Sequence, residues 1–335
     1  MRQKIDAVFR AALSGQILSL PKSPYGRELS QVCDKLDLNT SDLLIVPSAD
    51  LEALESASQL VDERKDRSPR LVLRFLDPEL GEHKTARREE RLGVLSEILS
   101  RKSNLSLFCE TEEMAAHLNV QYGLDVQGGF YLPCSFDPAL PPEVPTTAKS
   151  DPFRVGLFGA PRPGKGYERI GGITDCLREL LKQKTASKPI EIILQGSERD
   201  FAENGAYNFV QEMPEESGIL FSRHSDRLDP DTFIKLFLSA DLILLPYDTD
   251  VYGLQGSGIV QDAIATEKVI VHSKGIAMKQ LLSGGNAHAA SSDAGFAKAI
   301  NDVVTTRSKN LRVCRDARLQ YLSILNNNII SKGEI

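Results

Sequence analysis

Residues 154–166 read RVGLFGAPRPGKG: an apolar run ending at Phe158, then a turn carrying Gly159, Gly164 and Gly166 with Arg162 and Lys165 between them. A helix-period stretch begins near Tyr167. Strand, glycine turn and helix in that order are the opening of a βαβ unit, and a parallel sheet binds ligands in the loops that follow its strands. The turn fits the pattern G-x-x-x-x-G-K, yet Gly166 stands where a P-loop needs a magnesium-binding Ser or Thr. Pro161 and Pro163 also remove two N–H groups from a loop that would cradle phosphate with them. What remains is two cations ahead of a helix N-terminus, which suits a diphosphate without a metal. Taken alone, the same turn reads better as a solvated loop with two surface cations.

Working outward, similar apolar bursts recur on both sides. Before this stretch they are DLLIVP at 42–47, RLVLRF at 70–75, LSLFC at 105–109 and GFYL at 129–132; after it, IEIIL at 190–194, ILF at 219–221, LILL at 242–245 and VIV at 269–271. Helix-period segments separate them, so the expected class is α/β, with two Rossmann-like domains built on parallel sheets. The proline-dense segment 134–152 marks the boundary. The expected division is a first domain over 1–140, a linker over 141–152, a second domain over 153–310, and a C-terminal helix over 311–335 packing toward the first domain.

The 335 residues carry 40 Lys and Arg against 46 Asp and Glu, a net charge of −6, which argues against nucleic acid as the main partner. No apolar run approaches the roughly 20 residues of a membrane span, and no export signal opens the chain, so a cytoplasmic location with reduced thiols is expected. Cys33, Cys109, Cys134, Cys176 and Cys314 are widely spaced and show no metal-binding pattern.

A second loop follows LILL. It runs Pro246, Tyr247, Asp248, Thr249, Asp250, Val251, Tyr252, Gly253, Leu254, Gln255, Gly256, Ser257, Gly258 and enters a helix at 259–265 that holds Asp262. The glycines let main chain approach a ligand, and the helix start supplies N–H donors. On its own, Asp262 reads as an exposed carboxylate favoured by the helix dipole. The blocks FGxxRxxKG at 158–166, ADLILLPYD at 240–248, GSGIVQDAIA at 256–265 and KVIV at 268–271 together resemble the donor half of the GT-B glycosyltransferases, specifically the retaining nucleotide-sugar-dependent group of bacterial polysaccharide biosynthesis. The similarity spans roughly 150–305, and more weakly Cys109-Glu110-Thr111-Glu112.

That resemblance implies two domains facing a cleft and transfer of a sugar from a nucleotide diphosphate donor to a saccharide or lipid-linked acceptor hydroxyl. The donor-binding residues it implies are Gly159, Arg162, Lys165, Gly166, Tyr247, Tyr252, Gly256, Ser257, Gly258 and Asp262; it names no catalytic residue, no cofactor and no metal, the Asp248-Thr249-Asp250 triplet being the exception to watch. Departures are visible. The signature pairs two glutamates, which here fall on Leu254 and Asp262, and the glutamate before the lysine is Gly164. Asp262 would then accept from the donor ribose. The first domain is expected to be abbreviated, because 1–40 offers an amphipathic helix (Ile5, Val8, Phe9, Ala12, Leu13) instead of an opening strand and glycine turn. Arg2, Lys4 and Arg10 on that helix leave peripheral membrane contact open beside simple packing on the first sheet. A catalytically impaired relative, serving as a nucleotide-sugar-binding or scaffold subunit, is the alternative; an epimerase is disfavoured for want of an acid/base cluster. Arg74, at a strand end, is read as facing the cleft, 82–91 as a solvated charged face, and the third loop, His272 to Gly275, as near the nucleotide.

Overall fold

The computed structural model describes residues 23–99, 104–142, 152–182, 189–203 and 218–333. The expected helix at 5–13 and most of the expected linker lie outside them. The chain forms two compact units, Met1–Phe130 and Tyr131–Ile335.

In the first unit the order is α1 (Pro24–Lys35), β1 (Leu43–Ala49), α2 (Leu51–Arg64), β2 (Arg70–Phe75), α3 (Thr85–Leu99), β3 (Leu105–Cys109), α4 (Glu112–Tyr122) and β4 (Val126–Gln127). The four strands are parallel and stand in sequence order, β1-β2-β3-β4. Among the described residues this order never reverses, so these four strands have no internal switch point at which a crevice would open. Helix α2 is capped by Asp50, whose carboxylate accepts from Ala53 N at 2.8 Å, and it buries Leu51, Leu54, Ala57 and Leu60. Strand β2 is buried along nearly its whole length, as a central parallel strand covered on both faces must be.

Three expectations need correction here. GFYL at 129–132 is not a strand; the short β4 precedes it. Gly129 takes φ +74°, and a Cβ on Gly128 would lie 2.4 Å from Glu112 Cα, so the chain turns against the start of α4 instead of extending. Arg74, expected to face the cleft, is buried within the first unit: its Nε donates to Phe130 O (2.9 Å), Nη1 to Pro47 O (3.1 Å) and Nη2 to Glu110 Oε1 (2.6 Å). The charged run 82–91 is only partly a solvated face. Arg88 is buried with its guanidinium 5.3 Å from the Tyr122 ring centroid, and Arg91 binds both carboxylate oxygens of Glu55 at 2.7 Å.

The second unit contains β5 (Phe153–Leu157), a 3₁₀ turn at Tyr167–Arg169, α5 (Ile170–Lys182), β6 (Ile190–Gln195), α6 (Glu198–Glu203), β7 (Ile219–His224), α7 (Pro230–Ser239), β8 (Leu242–Leu245), α8 (Thr249–Tyr252), α9 (Gly258–Ala265), β9 (Val269–Ser273), α10 (Lys279–Leu282), β10 (Ala287–Ala290), α11 (Asp293–Thr305) and α12 (Arg307–Gly333). Its six parallel strands take the order β10-β9-β8-β5-β6-β7. Counted within the unit this is 6-5-4-1-2-3, the doubly wound Rossmann order, and the reversal falls between β5 and β8. Apolar clusters cover both faces. Tyr167, Ile170, Ile173, Leu177, Phe296 and Ile300 pack on one side, and Phe237, Val260, Ile264, Met278, Tyr321 and Leu325 on the other. The C-terminal helix is longer than expected, and within this unit it packs on α9 and α11.

Replacing Arg74 by leucine leaves the Glu110 carboxylate buried without this cation and strips two carbonyls of their donor. The expected loss in unfolding free energy, read from urea denaturation, is about 3–5 kcal/mol. Arg74→Leu/Glu110→Leu should recover much of it, since the buried carboxylate is then removed together with its cation.

Candidate functional site

At the β5–β8 reversal a cavity of about 410 Å³ opens, lined by Gly159, Ala160, Arg162 and Lys165 from the turn after β5, by Tyr252, Gly256, Ser257, Gly258, Ile259 and Asp262 from the loop after β8 and the start of α9, and by Cys134, Ser135 and Phe233. Of the residues expected from sequence to bind donor, all but Gly166 and Tyr247 line it. Those two stand behind the wall, where they shape it.

Gly166 takes φ +73°, and a Cβ there would come within 2.0 Å of Pro246 O, so the turn after β5 can lie against the end of β8 only with glycine at this place. Asp248 N donates to Gly164 O at 2.9 Å and ties the two loops together again. Tyr167 closes the turn from below: its buried hydroxyl is within hydrogen-bond distance of Gly159 O (2.8 Å) and Gln195 O (3.0 Å). Gln195 in turn accepts from Gly159 N at 2.8 Å. The main chain of the turn is thus held at both its N–H and its carbonyl.

Lys165 is only 6% exposed. Its Nζ donates to Tyr247 Oη at 2.8 Å and lies 4.6 Å from the Tyr247 ring centroid and 5.5 Å from that of Tyr252, the two rings being 4.2 Å apart. Burial, and secondarily the charge of Arg162, lowers its pKa to about 8. Arg162 is fixed by a 2.9 Å bond from Nη2 to Tyr252 Oη. Ser257, the residue before α9, makes no side-chain cap; its hydroxyl stands 3.3 Å from Tyr247 Oη, and the helix start itself lines the cavity. Two cations and a helix N-terminus therefore converge on one hollow, an arrangement that attracts a polyanion.

Asp262 is buried, not exposed as a lone reading of its helix suggests: Oδ1 accepts from Ser135 N at 2.8 Å and from Phe136 N at 3.3 Å. The Asp248-Thr249-Asp250 triplet shapes a turn, Asp248 capping α8 by accepting from Asp250 N at 2.9 Å. Among the described residues no group of three or more His, Cys, Asp or Glu side chains gathers as a metal site would require. The third loop does not reach the cavity. His272 is buried with Nδ1 2.9 Å from Ser273 O, and Ser273 and Lys274 line a separate hollow of about 260 Å³ with Tyr247 and Arg169. Sequence reading missed Cys134, Ser135 and Phe233 as lining residues. Phe233 sits on an amphipathic helix that reads as core, and nothing in the sequence signals that 134–135 returns to α9.

No profile of a known protein family matches the sequence, and no curated protein matches it. Solved structures do match over most of the chain. HepE from Anabaena, in complex with UDP, superposes with a TM-score of 0.60 at 16% identity, covering 93% of this chain and 83% of that one. The fold is that of the GT-B glycosyltransferases. Sucrose-phosphate synthase from Thermosynechococcus elongatus is similar at a TM-score of 0.57 and 13% identity over 92% of this chain and 75% of its own. WaaG, a glycosyltransferase involved in lipopolysaccharide biosynthesis, gives 0.51 and 15% over 84% and 81%. The GT-B scaffold supplies two parallel-sheet units, and the four- and six-stranded sheets described above are those units in this chain.

The pKa of Lys165 fixes a sign for pH dependence. Its folded value lies below its ordinary one, so its charge is held below about pH 8 and lost above it, while stability rises with pH between about 8 and the ordinary lysine value. Affinity of the cavity for a nucleoside diphosphate should therefore fall between pH 7 and pH 9. Calorimetric titration should show that fall in the wild type and flatten it in Lys165→Met.

Proposed function

We propose that the chain binds the diphosphate of a nucleotide sugar in the cavity between the turn after β5 and the start of α9, and transfers the sugar to a hydroxyl of a saccharide or lipid-linked acceptor. The observation that carries this reading is the convergence of Arg162, buried Lys165 and the N-terminus of α9 on the hollow at the strand-order reversal. As the bond from sugar to diphosphate breaks, negative charge grows on the leaving group; cations already oriented by their tyrosine partners stabilise it without moving. The Tyr247 and Tyr252 hydroxyls hold Lys165 and Arg162 in place for that purpose. Glycines 256 and 258 let main chain approach the phosphates, and Gly159 leaves room beside Lys165 Nζ, which would stand 3.2 Å from a Cβ there. No metal is required for this chemistry, since the two side-chain cations take its electrostatic role.

The UDP carried by HepE and the lipopolysaccharide role of WaaG support extending the reading to surface polysaccharide synthesis from a nucleotide-sugar donor, with retention of configuration suggested by the sequence resemblance alone. A cytoplasmic enzyme working against the inner face of a membrane would meet such an acceptor. Among the described residues no helix is long and apolar enough to cross a membrane. One observation favours a second reading, a nucleotide-sugar-binding subunit without activity: Leu254 occupies the place where the resembling group carries its first signature glutamate.

A panel of nucleoside diphosphates and nucleotide sugars tests the binding step. A ligand at 100 times its Kd should raise stability by about 2.7 kcal/mol, visible as an increase in Tm. Lys165→Ala should weaken nucleoside diphosphate binding by about 1.5–3 kcal/mol, and Arg162→Ala should act in the same direction. Unchanged affinity in both variants removes the diphosphate site. Binding without any hydrolysis or transfer of a nucleotide sugar selects the second reading.

A further inference from the structure

The segment from Tyr131 to Pro138 is held by the second unit along its length. The Tyr131 ring meets Tyr321 of α12 edge-on at 6.3 Å, and Tyr321 Oη bonds Gln261 Oε1 of α9 at 2.7 Å. The Phe136 ring lies 5.2 Å from Phe237 and 6.4 Å from Phe233 on α7. Pro138 O accepts from Nη1 of Arg318 at 2.7 Å, and Arg318 is itself fixed by Glu267 at 2.8 Å. In the middle, where Cys134 and Ser135 line the cavity, the tie is the Asp262 carboxylate on Ser135 N and Phe136 N. The approach is close: a Cβ on Gly258 would stand 3.2 Å from Cys134 Sγ.

We propose that Asp262 is a positioning residue for the cavity: its carboxylate holds the main chain of Ser135 and Phe136 against α9, so that Cys134 and Ser135 complete the wall shared with Arg162 and Lys165. This rests on the donor-binding reading and deepens it, replacing a direct ribose contact by an indirect role. Two N–H donors on one oxygen of a buried carboxylate make a charge-assisted pair, stronger than neutral hydrogen bonds. Burial pushes the Asp262 pKa up, and the Ser135 N–H, the Ser135 side chain and the Phe136 N–H pull it back, as expected of a carboxylate that is desolvated for the sake of those bonds. Without them, a main-chain segment bearing two unsatisfied N–H groups would seek water and leave the wall.

The test pairs a ligand-free measurement with a ligand that has no ribose. Hydrogen exchange of the peptide covering 131–138 should quicken in Asp262→Ala and stay near wild type in Asp262→Asn, which keeps an acceptor oxygen, with exchange in α5 and β6 unchanged in both. Affinity for UDP and for inorganic pyrophosphate should fall together in Asp262→Ala, by about tenfold each, and recover in Asp262→Asn. If the alanine variant does not fold, Asp262→Ser serves in its place, being polar but too short to reach both N–H groups. The inference is overturned if exchange at 131–138 is unchanged, if the loss is confined to UDP as a ribose contact requires, or if pyrophosphate binds more tightly, as removal of a mere repelling charge would cause. If the wild type takes up neither probe while exchange still quickens in the variant, the donor reading fails and the anchoring of 131–138 stands.

Discussion

Val155 and Gly156 of β5 pair with Leu242 and Ile243 of β8, and at this contact the second sheet changes the direction in which it grows: β6 and β7 add on one side, β9 and β10 on the other. Crossover helices on either side of such a point cover opposite faces, so the loops leaving β5 and β8 diverge and cannot fill the space between them. The cavity follows from that divergence. Gly166 against Pro246 and Asp248 N on Gly164 O keep the two loops joined at their base.

Within that frame the burial of a lysine decides the electrostatics. An ammonium removed from water is costly unless its protons find acceptors, and Lys165 is given one hydroxyl and two ring faces rather than a carboxylate. The difference matters for an anion site. A carboxylate partner would neutralise the field that a diphosphate is to feel, whereas tyrosines hold the ammonium in place and leave its charge uncancelled. The same tyrosine pair positions Arg162, so one aromatic step serves both cations.

Much of the second unit was legible in the sequence, because β-branched and leucine-rich runs bounded by glycine or proline mark buried parallel strands: β5, β6, β8 and β9 fall within a residue or two of their apolar bursts. Strand β10, with the sequence AHAA, carries no such signal and is set by its neighbour β9. The burst at 129–132 misled for the opposite reason, since Phe130 is buried in a turn whose carbonyl accepts from Arg74 rather than in a ladder strand. In the site, the glycines and cations stand out in sequence because they lie in loops that follow strand ends, whereas the tyrosines were implied only by the family resemblance. The engagement of Asp262 with Ser135 could not be read there, because it joins residues far apart in sequence through main-chain donors, which every non-proline residue possesses alike. Arg74 shows the same limit: a cation at a strand end looks the same in sequence whether it meets a ligand or three neighbours of its own chain.

The lowered pKa of Lys165 also has a meaning for covalent chemistry. With its pKa lowered to about 8 by burial and by Arg162, this ammonium releases its proton near neutral pH far more readily than an ordinary surface lysine does. The residue that would grip a diphosphate is thus also an amine prepared to attack an acylating group or an aldehyde delivered into the cavity. An anionic ligand that raised its pKa again would quench that reactivity, so the nucleophilicity of a single side chain would report whether the hollow is filled.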